Sequence, residues 1–306
     1  MRRLLTLLGF ITLVFLLGAS LSPWIYWAAQ KSSGGLLAPF APEPFGRFVS
    51  RTLLFLALLG LWPLAKSLRA TRQELGLTRP KLRNILLGAA LGFASLGIIL
   101  FIAHISGARE LRASVDTEKL FKSSALAIGA ALLVAPLEEI LFRGVAFSLL
   151  RGRRWIPAMV FSSVLFAAVH FLQTPRASTT QPVEWTSGFA MLVRMFSSQT
   201  DSALALAQLL NLTLCGVILC VAFQRTGSIW FSVALHAGWI FWLKLANAIT
   251  VVPRSTAVIW GSRKVIDGWA VTPVLIATLI AVEWLTRRWT ESSHAAQNSK
   301  SGAQME

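Results

Sequence analysis

The sequence has few charged residues and almost no cysteine. Only 14% of its 306 residues are charged, whereas 55% are hydrophobic, and the mean hydropathy is +0.64. Soluble domains average about 25% charged residues, so this composition excludes an ordinary soluble domain. The two cysteines, Cys215 and Cys220, lie in one apolar run and exclude both a disulfide framework and a cysteine-based zinc ribbon.

Familiar catalytic signatures are absent as well. The sequence contains no HExxH helix of a metalloprotease, no GxSxG nucleophile elbow and no P-loop. A serine or cysteine nucleophile therefore lacks supporting context.

Long apolar runs dominate what is present. A run of about 20 apolar residues can cross a bilayer as a helix, so the sequence predicts an all-α, polytopic transmembrane helix bundle with about eight spans. The first run resembles a signal peptide, but it is long enough to cross the bilayer, and we expect an uncleaved first helix. We expect the spans at about Leu4–Ala29, Thr52–Leu68, Ile85–Ser106, Ser124–Leu150, Trp155–Leu172, Ser202–Phe223, Ser228–Ala248 and Trp269–Leu285.

The distribution of the basic residues behind the net charge of +16 indicates the orientation of the chain. With eight spans, Lys and Arg crowd the short loops on the same side as both termini, which is typical of cytoplasmic loops. The basic balance therefore predicts contact with membrane lipids and no nucleic-acid partner. We expect a multi-pass protein of the cell membrane with both termini in the cytoplasm.

The fourth predicted span carries three charged residues, Glu138, Glu139 and Arg143. Each costs roughly 2.5–3.5 kcal/mol at the bilayer centre, so they need internal partners. Glu139 and Arg143 are four residues apart and can pair on one face of a helix, whereas Glu138 points about 100° away. We expect a structural clamp from the pair and a cavity-facing Glu138. The alternative is an ion pair that only locks helix packing.

Three other predicted spans carry His170, Asn211 and His236. Counted from the inner ends of the spans at about 1.5 Å per residue, these residues and Glu138 fall within a slab about 8 Å thick, as a shared interior site requires. A carboxylate and two imidazoles suit a zinc ion held by Glu138, His170 and His236. They equally suit a metal-free site in which Glu138 activates water and a histidine orients the water or protonates the leaving amine. Both alternatives predict hydrolysis of an amide or ester.

At these residues the sequence resembles the CAAX-protease and bacteriocin-processing family of intramembrane proteases, also called the Abi family. The family motifs are Glu-Glu-x-x-x-Arg, then Phe-x-x-x-His, then His-x-x-x-Asn or a similar polar residue. The resemblance covers about residues 124–248. The matching positions are Glu138, Glu139 and Arg143, then Phe166 and His170, then His236.

The resemblance implies an intramembrane endopeptidase acting on peptides or proteins at the membrane. Glu138, His170 and His236 would be its catalytic residues, with Glu139 and Arg143 in support. Eukaryotic relatives trim the last three residues of prenylated CAAX proteins, whereas many prokaryotic relatives are linked to bacteriocin maturation or self-immunity. Both a zinc-dependent and a metal-free, glutamate-based mechanism have been argued for the family, so zinc is one expectation and a metal-free site is the other.

Position 240 departs from the family pattern. Members often carry Asn there, where it is thought to stabilise the oxyanion, but this chain has Ile240, which cannot donate a hydrogen bond. Asn211 is a candidate for that role. Ile240 also leaves open a catalytically idle relative that works as an immunity or scaffold protein. The buried carboxylates and imidazoles leave open a proton-coupled transporter.

The resemblance also suggests a division of the chain. We expect N-terminal transmembrane helices and loops in residues 1–123, a protease-like core in 124–248 and a C-terminal transmembrane helix in 249–289. The polar tail, residues 290–306, is predicted to be disordered. Within the polar stretch before the sixth span, residues 188–196 are predicted to form a short interfacial helix.

Overall fold

The computed structural model of the protein describes residues 2–32, 38–152, 154–171, 182–197, 202–253 and 256–302. These residues are mostly helical. The long helices are α1 (Arg2–Lys31), α2 (Phe45–Ser67), α3 (Leu82–Ile105), α4 (Thr117–Glu139), α5 (Trp155–Phe171), α6 (Ser187–Ser197), α7 (Ser202–Thr226), α8 (Ile229–Ile249) and α9 (Val271–Gly302). The shorter elements are a 3₁₀ helix (Ala38–Phe40), a π-helix that directly continues α4 (Ile140–Phe147), two helical turns (Ser148–Leu150 and Ala257–Trp260) and the antiparallel strands β1 (Glu110–Leu111) and β2 (Thr250–Val251).

The lengths and compositions of these helices confirm a polytopic helical bundle. Helix α5 is apolar but shorter than the others, and the total of eight spans stays a prediction. Among the described residues, six helices are long and apolar enough to cross a membrane: Arg2–Lys31, Phe45–Ser67, Leu82–Ile105, Thr117–Leu150, Ala203–Thr226 and Ile229–Ile249.

Two helices begin earlier than the hydrophobic pattern predicts. Helix α2 starts at Phe45 because Pro44 precedes it in an extended conformation, and Phe45 itself is buried. Helix α4 starts at Thr117 because the Asp116 side chain caps it, accepting a hydrogen bond from the backbone N–H of Lys119 at 2.7 Å. A polar cap of this kind lies outside the apolar run and leaves no trace in hydropathy.

Of the helices near the two polar stretches, one agrees with the prediction and one extends beyond it. Helix α6 covers the segment predicted as a short interfacial helix. Helix α9 begins where the eighth span is predicted, and it continues to Gly302 through most of the segment predicted as a disordered tail. The division of the chain into four segments stays a prediction.

The chain forms two compact units, and the first comprises Met1–Ala70 and Ala168–Asp201. In this unit α6 packs against α1 and α2. Gly188 of α6 lies so close to the Ala19 carbonyl of α1 that a Cβ atom would not fit. The core of this unit is apolar and contains Val14, Phe45, Val49, Leu53, Met191 and Met195.

The second unit comprises Thr71–Ala167 and Ser202–Glu306, and α8 packs in it against both α3 and α4. The crossing of α3 and α8 depends on two glycines. A Cβ atom on Gly92 would collide with the Leu235 carbonyl, and one on Gly238 would lie 2.7 Å from the carbonyl carbon of Gly92. Small residues at such positions let two helix backbones approach closely inside a membrane. This crossing fixes the position of α8, which carries His236.

The close crossing predicts different effects for two glycine substitutions. Gly92→Ala should lower the free energy of unfolding by about 1–3 kcal/mol, because the added methyl group overpacks the crossing. Gly129→Ala on α4, where nothing lies within 4 Å of the added Cβ, should leave it unchanged or raise it by up to about 1 kcal/mol. Denaturant unfolding of both variants in one detergent measures the difference. Equal free energies of unfolding for the two variants would contradict a close contact between α3 and α8 at Gly92.

Candidate active site

A buried ion pair lies at the junction of α4 and the π-helix. Glu139 is the last residue of α4, and Arg143 lies one turn later. Both side chains are fully buried, and Nη1 of Arg143 donates a hydrogen bond to Oε1 of Glu139 at 2.9 Å. These two residues therefore form the ion pair that their spacing predicts.

This ion pair has partners on three further helices, which it needs because removing two charges from water is costly. Nη2 of Arg143 donates to the Gly216 carbonyl of α7 at 3.4 Å. The Arg143 guanidinium lies 4.6 Å from the centre of the Phe166 ring of α5, within the range of a cation–π contact. Oε1 of Glu139 lies 3.0 Å from Nδ1 of His236 on α8. The pair therefore joins α4, α5, α7 and α8.

His236 lies between the two adjacent glutamates. Its Nδ1 is 3.0 Å from Oε1 of Glu139, and its Nε2 is 3.8 Å from Oε2 of Glu138. Glu139 also accepts a hydrogen bond from Arg143, so it is the anionic acceptor of this network. That arrangement assigns the imidazole proton to Nδ1 and turns Nε2 towards Glu138.

The two glutamates differ in accessibility. The Glu138 side chain is 22% exposed, whereas those of Glu139 and Arg143 are 0% exposed and that of His236 is 7% exposed. Glu138 therefore has the most accessible side chain of these four, although its Oε2 atom, which faces His236, is buried. This difference agrees with the expectation that one glutamate clamps the helices while the other faces open space.

The π-helix shapes the segment that carries Arg143. Segments of this kind occur often at functional sites. Here Ser162 of α5 donates a hydrogen bond to the Phe142 carbonyl at 2.9 Å, and the Ser148 hydroxyl donates to the Gly144 carbonyl. The ring of Phe142 also makes an edge contact with that of Phe166, with centroids 5.1 Å apart.

Ser162 and the π-helix are features that sequence reasoning missed. Ser162 lies four residues before Phe166 on the same helix, so its only signal is a shared helical face. A serine inside an apolar span has many other possible uses, including a hydrogen bond to its own helix. The contact with the π-helix could not be read from that spacing alone.

An apolar groove lies beside these residues, between α3, α4 and α8. It has a volume of 680 Å³, and its wall includes Phe93, Leu132 and Trp230. Pro136, two residues before Glu138, and Ala237, directly after His236, also line it. Neither Glu138 nor His236 is among the residues that line the groove, and Glu138 lies about 200° around the helix from Pro136.

His170 lies on the last turn of α5, four residues after Phe166, and it is half-buried. By chain contacts it belongs to the first unit, whereas Glu138 and His236 belong to the second. Its participation in the site therefore stays a prediction.

Asn211 of α7 is hydrogen-bonded to the loop that precedes α9. Its amide donates hydrogen bonds to the carbonyls of Ile266 at 2.8 Å and Gly268 at 2.9 Å, and its Oδ1 accepts one from Thr272 at 2.7 Å. Both amide hydrogens are used in this way, so a role in oxyanion stabilisation would require their release and stays a prediction. Ile240 packs in an apolar cluster and supplies no replacement donor.

The described residues do not provide an obvious metal site. Among them, no group of three or more His, Cys, Asp or Glu side chains is arranged so that it could hold a metal ion. Glu138 and His236 are close, but the third predicted ligand, His170, is not grouped with them. Zinc binding by Glu138, His170 and His236 stays a prediction.

Residues 121–242 match the family model described as Type II CAAX prenyl endopeptidase Rce1-like. This match confirms the family resemblance, and it supports an intramembrane endopeptidase as the general class of this multi-pass membrane protein. No curated protein and no solved structure matches the chain. The matched stretch includes Glu138, Glu139, Arg143, His170, Asn211, His236 and Ile240.

The buried ion pair predicts a large loss of stability when one partner is removed. Arg143→Met should lower the free energy of unfolding by about 3–5 kcal/mol, because it leaves the Glu139 carboxylate buried without its cation. Glu43 and Arg47 form a pair of the same spacing whose side chains are 31% and 53% exposed. Arg47→Met should therefore cost less than about 1 kcal/mol. Denaturant unfolding compares the two variants, and similar losses would refute the assigned role of the buried pair.

Proposed function

We propose that this protein is an intramembrane endopeptidase that hydrolyses a peptide bond of a membrane-associated peptide or protein. Glu138 is the general base that activates water, and His236 is its partner imidazole. The family match supports the general class. The observation that carries the mechanism is the position of His236 between Glu138 at 3.8 Å and Glu139 at 3.0 Å.

The distance between Glu138 and His236 suits a water-dependent reaction. At 3.8 Å the two groups are too far apart for a direct hydrogen bond, but one water molecule can bind to both. Glu138 removes a proton from this water while the water oxygen forms a bond to the scissile carbonyl carbon. The tetrahedral intermediate then collapses, the C–N bond breaks, and Glu138 delivers the proton that it took from water to the leaving amine, either directly or by way of Nε2 of His236.

Glu139 and Arg143 support this reaction without touching the substrate. Glu139 accepts the Nδ1 hydrogen of His236, which fixes the tautomer and stabilises the imidazolium when Nε2 takes a proton. Arg143 pairs with Glu139 at 2.9 Å and holds its carboxylate in position for this contact. We propose His170 as the second imidazole that positions the water or the leaving group.

The apolar groove between α3, α4 and α8 supports a substrate that is itself embedded in the membrane. Its wall reaches Pro136 and Ala237, which lie within two residues of Glu138 and His236 along the chain. We propose that the protein acts in the cell membrane, with both termini in the cytoplasm, because the basic residues crowd the loops on that side.

A catalytically idle protein that works by binding is a second candidate. Position 240, often Asn in the family, holds an isoleucine that packs in the apolar core. This residue cannot stabilise an oxyanion, and the Asn211 amide is occupied by a loop. An immunity or scaffold function would need the fold of the site but not its chemistry.

Replacing Glu138 tests the proposed chemistry. Glu138→Gln keeps the shape of the side chain but removes the base, and it should lower kcat/KM by about 10²–10⁴-fold. Glu118→Gln, an exposed position on the same helix, is the matched control and should retain activity. Cleavage is measured with two quenched fluorescent peptides in nanodiscs. One ends in a farnesylated cysteine and three further residues, and the other has an unprenylated transmembrane segment.

Two results would overturn the hydrolase proposal. One is wild-type protein that cleaves neither peptide while a cellular immunity phenotype survives Glu138→Gln, which favours the scaffold. The other is proton flux across proteoliposomes that Glu138→Gln abolishes without any proteolysis, which favours a transporter.

The metal-free mechanism predicts that active protein contains little zinc. Elemental analysis of the purified, active protein should find zinc well below one atom per chain, and dialysis against a chelator should leave peptide cleavage unchanged. The same analysis of His236→Gln is the control and should give the same background. One zinc atom per wild-type chain that His236→Gln removes would instead support the predicted zinc ligands.

A further inference from the structure

Trp239 lies one helical turn after His236 on α8 and is 5% exposed. The two rings make an edge contact, with centroids 6.3 Å apart and planes inclined at 63°. Such edge arrangements are favourable for aromatic rings at this separation. Phe166 makes the corresponding contact from α5, with its centroid 5.8 Å from that of the imidazole. His236 is therefore packed by two aromatic rings.

A hydrogen bond to α3 fixes the Trp239 ring. Its Nε1 donates to the hydroxyl of Ser95 at 2.9 Å, and that hydroxyl donates to the Gly92 carbonyl at 3.3 Å. Ser95 is 7% exposed, so this indole N–H would have no water to bind if the serine were removed. Gly92 is also the residue at the close crossing of α3 and α8. The position of the indole is thus set by α3 and not only by its own helix.

The imidazole needs this support because a single hydrogen bond does not define the plane of a ring. Nδ1 of His236 is held by Glu139 at 3.0 Å, but Nε2 lies 3.8 Å from Glu138. Rotation about the Cα–Cβ and Cβ–Cγ bonds can still stretch that hydrogen bond and carry Nε2 away from Glu138. The packing of Trp239 and Phe166 opposes this rotation.

We propose that Trp239, held by Ser95, is a positioning residue that keeps Nε2 of His236 directed towards Glu138. The proposal rests on the endopeptidase function proposed above and adds to it a residue pair outside the family motifs. Trp239 does not contact the reacting atoms. It acts through His236, so its loss should affect the reaction step more than substrate binding.

Trp242 provides a matched comparison within the same pair of helices. It also lies on α8, and its Nε1 donates to the Phe93 carbonyl of α3 at 2.8 Å. Its ring contacts Phe93 and Phe241. Trp242→Phe therefore removes an indole bond between α3 and α8 without removing a ring contact of His236.

The test combines kinetics with ¹⁵N-histidine NMR of the full chain in nanodiscs, with the His236 signals identified by their absence in His236→Gln. Trp239→Phe and Ser95→Ala should each lower kcat for the cleaved peptide by about fivefold, the effect of losing one neutral hydrogen bond, with KM unchanged. Both should also shift or broaden the His236 ring signals. Trp242→Phe should change neither kcat nor the His236 signals. If Trp239→Phe fails to fold, Ser95→Ala still tests the proposal.

The outcomes separate the two proposals. Changed His236 signals in Trp239→Phe and Ser95→Ala, from a wild-type protein that cleaves no peptide, would support the positioning role and refute the endopeptidase. Normal cleavage with unchanged His236 signals in both variants would overturn the positioning role alone. An equal loss of kcat in Trp242→Phe would also overturn the positioning role, because it would indicate an effect of the general packing of α3 against α8.

Discussion

The ion pair between Glu139 and Arg143 is the interaction on which the rest of the site depends. Both groups are fully buried, and a charge buried without compensation would destabilise the fold by several kcal/mol. The compensation comes from the Gly216 carbonyl, the Phe166 ring and the His236 imidazole. These partners belong to three different helices, so satisfying one ion pair also determines how α5, α7 and α8 meet α4.

The need to compensate the buried charges also gives the two adjacent carboxylates different surroundings. Glu139 contacts both Arg143 and His236, so it holds the imidazole in place. Glu138 points about 100° away on the helix and keeps a partly exposed side chain beside Nε2 of His236. A fully buried glutamate and a partly exposed one can therefore be neighbours in sequence, because the turn of the helix places them in different surroundings.

Some of this arrangement could be predicted from the sequence because it is local. The pairing of Glu139 with Arg143 follows from a four-residue spacing, and the membrane bundle follows from the length of the apolar runs. Contacts between distant segments leave no such pattern. The Ser162 bond to the Phe142 carbonyl, the loop held by Asn211 and the early start of α4 at Asp116 all depend on polar groups whose partners only the fold brings near. Counting residues from the inner ends of the spans gave Asn211 the same membrane depth as Glu138, but it could not show which groups the Asn211 amide contacts.

An experimental structure of the chain in a lipid nanodisc would test the central claim most directly, through the distances from His236 to the two glutamates. We expect Nδ1 to lie near 3.0 Å from Glu139 and Nε2 near 3.8 Å from Glu138. A His236 ring turned towards lipid, or an Nε2 atom directed away from Glu138, would contradict this arrangement.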